Sequence, residues 1–290
     1  MAIQTVATDQ FITVNGLRLH YLDWGNERAT PVVLLHGLRG FAHTWDPVAR
    51  PLADRFHLLA LDQRGRGESE WAPEAEYNTD AYVSDIEGFV DQLGLRQFVL
   101  VGHSMGGANT LAYTSKHPDR VKAAVIEDVG PGSLDSPGSA RIAREMEATP
   151  VRFSSWAEAE AFCRKERPGA SDDVIRARLG TAMKQLPDGS AVTWVYDLEG
   201  IRMARRAAQA QPRPDLWPAV KALRCPTLVL RGGATDILTR ETVEEMARVN
   251  PLVRWAEVPG ASHFVHEDNL EVFNLEVSAF LKEVASISSE

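Results

Sequence analysis

Cysteine is scarce in this sequence, which has Cys163 and Cys225 as its two cysteines among 290 residues. Two are too few for a disulfide scaffold or for a zinc site built from cysteines. The sequence also lacks a run of about 18 apolar residues, which a membrane-spanning helix would need. Its first ten residues have neither a basic start nor an apolar stretch, so we expect no secretory signal. These absences predict a cytoplasmic protein with reduced thiols.

Positively charged residues are also fewer than negatively charged ones. The chain has 31 lysines and arginines against 40 aspartates and glutamates, a formal net charge of -9. Such an acidic chain has no general attraction for nucleic acid or anionic lipid, so we expect neither as a partner. A hydrophobic content of 44% and a charged content of 24% are ordinary for a globular protein and exclude a fibre or a disordered chain. The expected partner is a small-molecule substrate, and the sequence makes no prediction of oligomeric state.

Short apolar runs alternate with helical patterns along most of the chain. The pair Asn15-Gly16 between two alternating runs predicts a β-hairpin. Continuous apolar runs predict strands that are buried on both faces, at residues 31–35, 56–61, 98–101, 121–126 and 226–230. Amphipathic spacing predicts helices between and after them, at residues 79–93, 108–116, 241–250 and 269–283. This alternation predicts an α/β fold with a mostly parallel central sheet flanked by helices.

The alternation is interrupted between residues 132 and 223, which we call the cap segment. Its patterns are helical, and no apolar strand is evident in it. The strand pattern resumes at Cys225, so the chain is expected to return to the same sheet. We therefore predict one α/β domain, made of residues 1–131 and 224–290, into which the cap segment is inserted as a helical lid.

The most informative motif is Gly-His-Ser-Met-Gly at residues 102–106, between a predicted buried strand and a predicted helix. Glycines on both sides of Ser104 permit a sharp, strained turn that raises the serine hydroxyl above the edge of the sheet. A serine at a strand-to-helix turn can also simply cap the helix. The full motif in this context predicts that Ser104 is a catalytic nucleophile.

A serine nucleophile needs a base, and a carboxylate must orient that base. His263 is the candidate base, since it follows the last predicted strand and precedes the final helix, whereas His266 falls within the start of the next element. Two carboxylates follow predicted strands and qualify as the acid, Asp128 and Asp236. The chain order Ser…Asp…His holds for either, so the order of residues leaves both open.

The oxyanion that forms when serine attacks an acyl group needs two positioned donors. We expect the backbone N–H groups of Met105, after the nucleophile, and of Leu38, in the glycine-containing loop after the strand at 31–35. The chain has no phosphate-binding loop motif and no dinucleotide fingerprint after its first strand. Another glycine-rich turn, at residues 62–67, is interpreted as structural, with its charged side chains bracing neighbouring loops. No metal or organic cofactor is implied.

Taken together, the motifs resemble those of the α/β-hydrolase superfamily over nearly the whole chain. The matching segments are LLHGLRG (34–40), LALDQRGRGES (59–69), VGHSMGGA (101–108), LVLRGGATDIL (228–238) and VPGASHFVH (258–266). The resemblance implies an esterase-like serine hydrolase whose cap segment is inserted after the sixth strand. It also favours Asp128 as the acid, because some members carry the acid 24 positions after the nucleophile, as here. Asp236 stands one position beyond the place where many members have it.

Within the superfamily, the chain is similar to the 2-(acetamidomethylene)succinate hydrolase group, which cleaves an amide in a carboxylated substrate. Guanidinium groups suit the recognition of carboxylates. Arg144 and Arg178 of the cap segment are therefore predicted to bind the carboxylate of the substrate, and the aromatic Trp194 is predicted to form part of an apolar pocket wall.

The expected activity is hydrolysis of a small ester, lactone or amide through a Ser-His-Asp acyl-enzyme mechanism. Two alternatives are a carbon–carbon bond hydrolase that acts on a diketone acid and a non-catalytic small-molecule receptor with the same fold. A serine nucleophile argues against dehalogenase and epoxide hydrolase chemistry, which needs a carboxylate to form an ester intermediate.

Overall fold

The structure, a computed structural model, describes residues 6–73, 76–166 and 171–287. In chain order its strands are β1 (Thr8–Val14), β2 (Leu17–Asp23), β3 (Thr30–Leu35), β4 (Phe56–Leu61), β5 (Phe98–His103), β6 (Val121–Glu127), β7 (Arg152–Phe153), β8 (Met183–Gln185), β9 (Val192–Trp194), β10 (Thr227–Gly232) and β11 (Val253–Val258). Eight of these strands form the central sheet of the described chain, in the order β1-β2-β4-β3-β5-β6-β10-β11.

The helices cover the sheet and fill the cap segment. They are α1 (Asp46–Ala49), α2 (Thr79–Gln92), α3 (Met105–Lys116), α4 (Pro137–Ala148), α5 (Trp156–Glu166), α6 (Asp172–Ala182), α7 (Leu198–Gln209), α8 (Trp217–Ala222), α9 (Arg240–Val249), α10 (Val265–Asp268) and α11 (Leu270–Ile287). Of the helices in the described ranges, none is long and apolar enough to cross a bilayer.

The predicted hairpin is confirmed at one edge of the sheet. Strands β1 and β2 pair in antiparallel register from Thr8 opposite Asp23 to Val14 opposite Leu17. The two turn residues, Asn15 and Gly16, have φ values of 52° and 80°. A two-residue type I′ turn requires positive φ at both positions, and asparagine and glycine tolerate it best.

The centre of the sheet is parallel and buried on both faces, as the apolar runs predicted. From β4 onwards, each neighbouring pair of strands in the sheet runs parallel. Successive side chains of a strand point to opposite faces. In β3, Val32 and Leu34 pack in the core shared with α1 and α11, while Val33 and Leu35 pack in the core shared with α2 and α3. Parallel strands bring their carboxyl ends to one edge, where the candidate residues lie.

The cap segment contains α4 to α8 and, in addition, a small antiparallel sheet in the order β7-β9-β8. The expectation that this segment contains helices without strands was wrong. Its strands are two or three residues long, too short to produce a hydrophobic period in the sequence. They are nevertheless buried, since Phe153, Val192 and Trp194 all belong to the hydrophobic core of the segment. The boundaries at residues 132 and 223 stay a prediction.

Candidate active site

Ser104 lies at a sharp turn between β5 and α3. Its backbone has φ 53° and ψ -113°, a strained conformation for a residue with a side chain. The turn requires glycine at position 106, because a Cβ there would lie 2.2 Å from the Leu35 carbonyl oxygen. The Ser104 N–H donates to the Glu127 carbonyl oxygen at 2.9 Å, which fixes the turn to β6. The sequence motif therefore folds as expected, with the serine hydroxyl above the edge of the sheet.

His263 lies in the loop between β11 and α10 and reaches Ser104 across the edge of the sheet. Its Nε2 is 2.8 Å from Ser104 Oγ, and its Nδ1 is 2.8 Å from Asp128 Oδ2. An ionised carboxylate can only accept hydrogen bonds, so Nδ1 carries the proton and Nε2 accepts from the serine hydroxyl. The imidazole is 3% exposed, which keeps competing water away from both contacts.

Asp128 follows β6 and is held by three donors. Besides His263, the Gly232 N–H donates to Oδ1 at 3.0 Å and the Thr235 hydroxyl donates to Oδ2 at 2.6 Å. Burial raises the pKa of Asp128, while the hydrogen bonds from these donors oppose that shift. A carboxylate so surrounded is fixed in place, and it can orient the imidazole without moving.

Asp236, the alternative acid, lies elsewhere in the hydrogen-bond network. The guanidinium of Arg141 in α4 donates to both of its oxygens, at 2.9 Å and 3.0 Å. These hydrogen bonds hold the pKa of Asp236 below its usual value. The Gly138 N–H donates to the Asp236 carbonyl oxygen at 2.9 Å. The structure therefore joins Asp236 to the cap segment and gives Asp128 the position next to His263.

The two predicted oxyanion donors lie on separate elements that meet near the serine. Met105 is the first residue of α3, and a first-turn N–H has no acceptor within its own helix. Leu38 lies in the turn after β3 that the Gly40 N–H closes on the Gly37 carbonyl oxygen at 3.1 Å. The side chains of Leu38 and Met105 pack against the same hydrophobic cluster. Their role as an oxyanion hole stays a prediction.

His36 anchors the start of the Leu38 loop. Its Nε2 accepts from the Gln63 N–H at 3.0 Å, and its Nδ1–H donates to the Gly37 carbonyl oxygen at 2.8 Å. Burial lowers the pKa of His36 to about 4. The imidazole is therefore neutral at neutral pH, which it must be in order to accept from Gln63.

The family follows from a comparison of the whole chain. The family model described as the alpha/beta hydrolase fold matches residues 30–270. The chain belongs to the α/β-hydrolase fold family. The predicted fold is thereby confirmed, and membership supports a hydrolase.

Two relatives and one solved structure resemble this α/β hydrolase over almost its full length. The 2-(acetamidomethylene)succinate hydrolase of Mesorhizobium japonicum is 29% identical, over 95% of this chain and 97% of its own. The N-formylmaleamate deformylase of Pseudomonas putida is 28% identical, over 93% of this chain and 95% of its own. A crystal structure of E-2-(acetamidomethylene)succinate hydrolase superimposes with a TM-score of 0.81 at 25% identity, covering 96% of this chain and 100% of that one. The similarity noted from the motifs is thus confirmed.

A second buried network lies behind the serine and histidine of this α/β hydrolase. His266, a weaker candidate base by its position, donates from Nδ1 to Glu127 at 2.8 Å. The imidazole of His266 lowers the pKa of Glu127 to about 2 against the effect of burial. His103, next to the nucleophile, donates from Nε2 to the His263 carbonyl oxygen at 2.9 Å. No spacing in the sequence predicts these pairs, because they join residues more than 130 positions apart.

The predicted substrate-binding residues of the cap segment have different surroundings. Trp194 is 1% exposed, stacks on Tyr196 and donates from Nε1 to the Pro150 carbonyl oxygen at 2.9 Å. It belongs to the hydrophobic core of the segment, and its role as a pocket wall stays a prediction. Arg144 is exposed on α4, where it borders a cavity. The side chain of Arg178 lies outside the described residues.

Proposed function

We propose that this protein is a serine hydrolase that cleaves a small ester, lactone or amide bond by acyl transfer to Ser104. The observation that carries the proposal is the chain of 2.8 Å contacts from Asp128 through His263 to Ser104. Hydrogen bonds of this length are within the range that proton transfer needs. The strained turn at Ser104 adds support, because backbone strain of this kind is concentrated at functional sites.

The proposed reaction has two halves. His263 Nε2 takes the proton of Ser104 as Oγ attacks the acyl carbon, and the N–H groups of Leu38 and Met105 hold the resulting oxyanion. The same imidazole then protonates the leaving group, which gives the acyl-enzyme. In the second half, His263 removes a proton from water, the hydroxide attacks the acyl carbon, and Ser104 leaves with the proton. Asp128 stabilises the imidazolium in both halves.

We further propose that the substrate carries a carboxylate. The named relatives act, by their names, on a succinate derivative and a maleamate derivative. In this chain, a cavity of about 530 Å³ between α4 and α7 is bordered by Arg144 and Arg205, lies apart from the triad and would hold the remote end of a substrate. Glu147 also borders it, but its carboxylate pairs with Arg206. Neither Arg144 nor Arg205 forms an ion pair with a carboxylate among the described residues, whereas Arg141 pairs with Asp236 and Glu145. Two arginines that no acidic side chain neutralises favour an anionic ligand.

Substitution of the nucleophile tests the proposal. Ser104→Ala is expected to lower kcat for a short p-nitrophenyl ester by at least about 10⁴-fold, since no other group can form the acyl-enzyme. Steady-state kinetics measures this loss, and circular dichroism checks that the fold is retained.

The matched control is Ser115→Ala on the same helix as the nucleophile turn. Ser115 Oγ donates to the Ala112 carbonyl oxygen, away from the candidate site, so this variant should keep its activity. Full turnover by Ser104→Ala would overturn the assignment of the nucleophile. A panel that includes lactones and diketone acids identifies the bond, and binding without turnover of any compound would favour a receptor.

A further inference from the structure

Arg66 is a fully buried cation next to the candidate oxyanion hole, and the triad chemistry does not use it. Its side chain is 0% exposed, in the loop between β4 and α2. The guanidinium donates from Nη1 to the Arg64 carbonyl oxygen at 2.8 Å and to the Tyr82 hydroxyl at 2.6 Å. Within the described ranges, Arg66 has no ion pair with a carboxylate. Burial of an unpaired charge is costly, so a purely structural role accounts poorly for arginine here.

Arg64 provides a direct contrast, because it lies two residues away in the same loop and is 2% exposed. Its Nε and Nη2 donate to the two oxygens of Asp85 at 2.6 Å and 2.7 Å, and its Nη1 donates to Glu76 Oε2 at 2.9 Å. Arg64 is therefore a structural cation with two carboxylate partners. Arg66 instead donates to neutral acceptors alone among the described groups.

The guanidinium of Arg66 also lies over the rings of Tyr77 and Tyr82, at 5.4 Å and 5.3 Å from their centroids. Its other two side-chain hydrogen bonds reach both residues predicted to supply the oxyanion donors. Nε donates to the Leu38 carbonyl oxygen at 3.3 Å, and Nη2 donates to Met105 Sδ at 3.4 Å. Leu38 belongs to the loop after β3, while Met105 begins α3. A guanidinium is planar and rigid, so one group that contacts both residues fixes their separation.

We propose that Arg66 is a positioning residue for the oxyanion hole, which holds the Leu38 loop against the start of α3 and places positive charge beside the developing oxyanion. The inference rests on the proposed acyl-transfer function. Donors aimed in advance at a developing charge need no reorganisation during the reaction. A shift of about 1 Å in such groups can cost on the order of 100-fold in rate.

The test compares Arg66→Lys with Arg64→Lys. Lysine at position 66 keeps the charge but replaces the planar fork, whose Nε and Nη2 contact Leu38 and Met105 separately, with one compact ammonium on a flexible stem. Arg66→Lys is expected to lower kcat by about 10- to 100-fold with KM within about two-fold, because the donors act mainly on the transition state. Arg64→Lys should lower the denaturant midpoint and leave kcat unchanged. Tyr82→Phe removes one anchor of the guanidinium and should give a smaller kcat loss in the same direction as Arg66→Lys.

Inhibition by a trifluoromethyl ketone distinguishes a loss of oxyanion-hole positioning from a general loss of structure. Ser104 Oγ bonds to its carbonyl carbon, the C=O electrons become a hemiketal oxyanion, and the serine proton passes to His263. The inhibition constant should rise in Arg66→Lys by the same factor by which kcat/KM falls. An unchanged inhibition constant, or equal kcat losses at positions 64 and 66, would overturn the inference.

Amide hydrogen exchange provides a readout that needs no turnover. In Arg66→Lys, the N–H groups of Leu38 and Met105 should exchange faster than in the wild type and in Arg64→Lys. Unchanged exchange at both amides would overturn the positioning role, even in an active enzyme. A wild-type protein that turns over no acyl substrate would instead overturn the proposed function, and the exchange rates would still decide the role of Arg66.

Discussion

At the scale of single residues, the two candidate acids differ in their partners rather than in their chemistry. Asp128 is fully buried and contacts His263, whereas Asp236 is bound by the guanidinium of Arg141. Each follows a strand of the parallel sheet, so local sequence gives them the same signature. Their separate roles depend on which neighbour each side chain reaches.

Exchange of each carboxylate for an amide is expected to separate these roles. Asp128→Asn should lower kcat by about 10⁴-fold, since the amide can donate to Nδ1 and stabilise the wrong tautomer of His263. Asp236→Asn should change kcat by less than about five-fold, because it weakens an exposed ion pair with Arg141. Steady-state rates on one ester measure both, and a larger loss in Asp236→Asn would reverse the assignment.

At the scale of elements, α4 and α7 of the cap segment border a cavity, and α7 carries three arginines against one glutamate. Arg205 of α7 is half-buried, and burial together with the nearby cations Arg213 and Arg39 lowers its pKa. Arg202 of α7 is already satisfied, because it donates to the Met146 carbonyl oxygen at the end of α4. An anion bound at Arg205 would relieve the repulsion among these cations.

Arg205→Gln is therefore expected to raise KM for an ester that carries a carboxylate by about 10-fold, as the loss of one charge-assisted hydrogen bond predicts. The KM for a neutral ester of the same size should stay unchanged. The control is Arg206→Gln on the same helix, since Arg206 is exposed and already paired with Glu147. Equal changes for the charged and neutral esters would contradict a carboxylate subsite at Arg205.

At the scale of the whole molecule, stability depends on pH through two histidines with pKa shifts of opposite sign, the buried His36 and the exposed His43. Burial lowers the pKa of His36 to about 4. Below about pH 6.5, His36 therefore becomes protonated in the unfolded chain but stays neutral in the folded chain. This part of the stability is lost as the pH falls from 6.5 towards 4. A hydrogen bond to Asp46 raises the pKa of His43, so its contribution is present below pH 6.5 and lost as the pH rises.

When the pH falls from 7 to 5, the wild type should therefore lose roughly 2 kcal/mol more unfolding free energy than His36→Gln. His43→Gln should shift in the opposite direction, because this variant loses a favourable protonated contact at low pH. Urea unfolding at the two pH values measures both differences. A shift of the same sign for both variants would contradict the assigned protonation states.

The sequence by itself determined the fold and two members of the candidate triad. Apolar runs define strands that are buried on both faces, and the glycines that flank a serine between strand and helix permit the sharp turn of a nucleophile. His263 could be predicted for a similar reason, because the loop after the last strand ends at the edge where Ser104 lies. These features are local, so short patterns in the sequence predict them.

The tertiary structure alone decided where Trp194 lies and what Arg66 contacts. It also brings Asp128, which the resemblance favoured and local sequence left open, into contact with His263. The partners of these side chains are distant in sequence: Asp128 and His263 are 135 positions apart, and Arg66 and Met105 are 39 apart. Composition and periodicity predict whether a residue is buried, but they do not predict which residues distant in sequence will contact it. Which of two chemically equivalent residues lies at the site therefore depends on how separate elements pack together at one edge of the sheet.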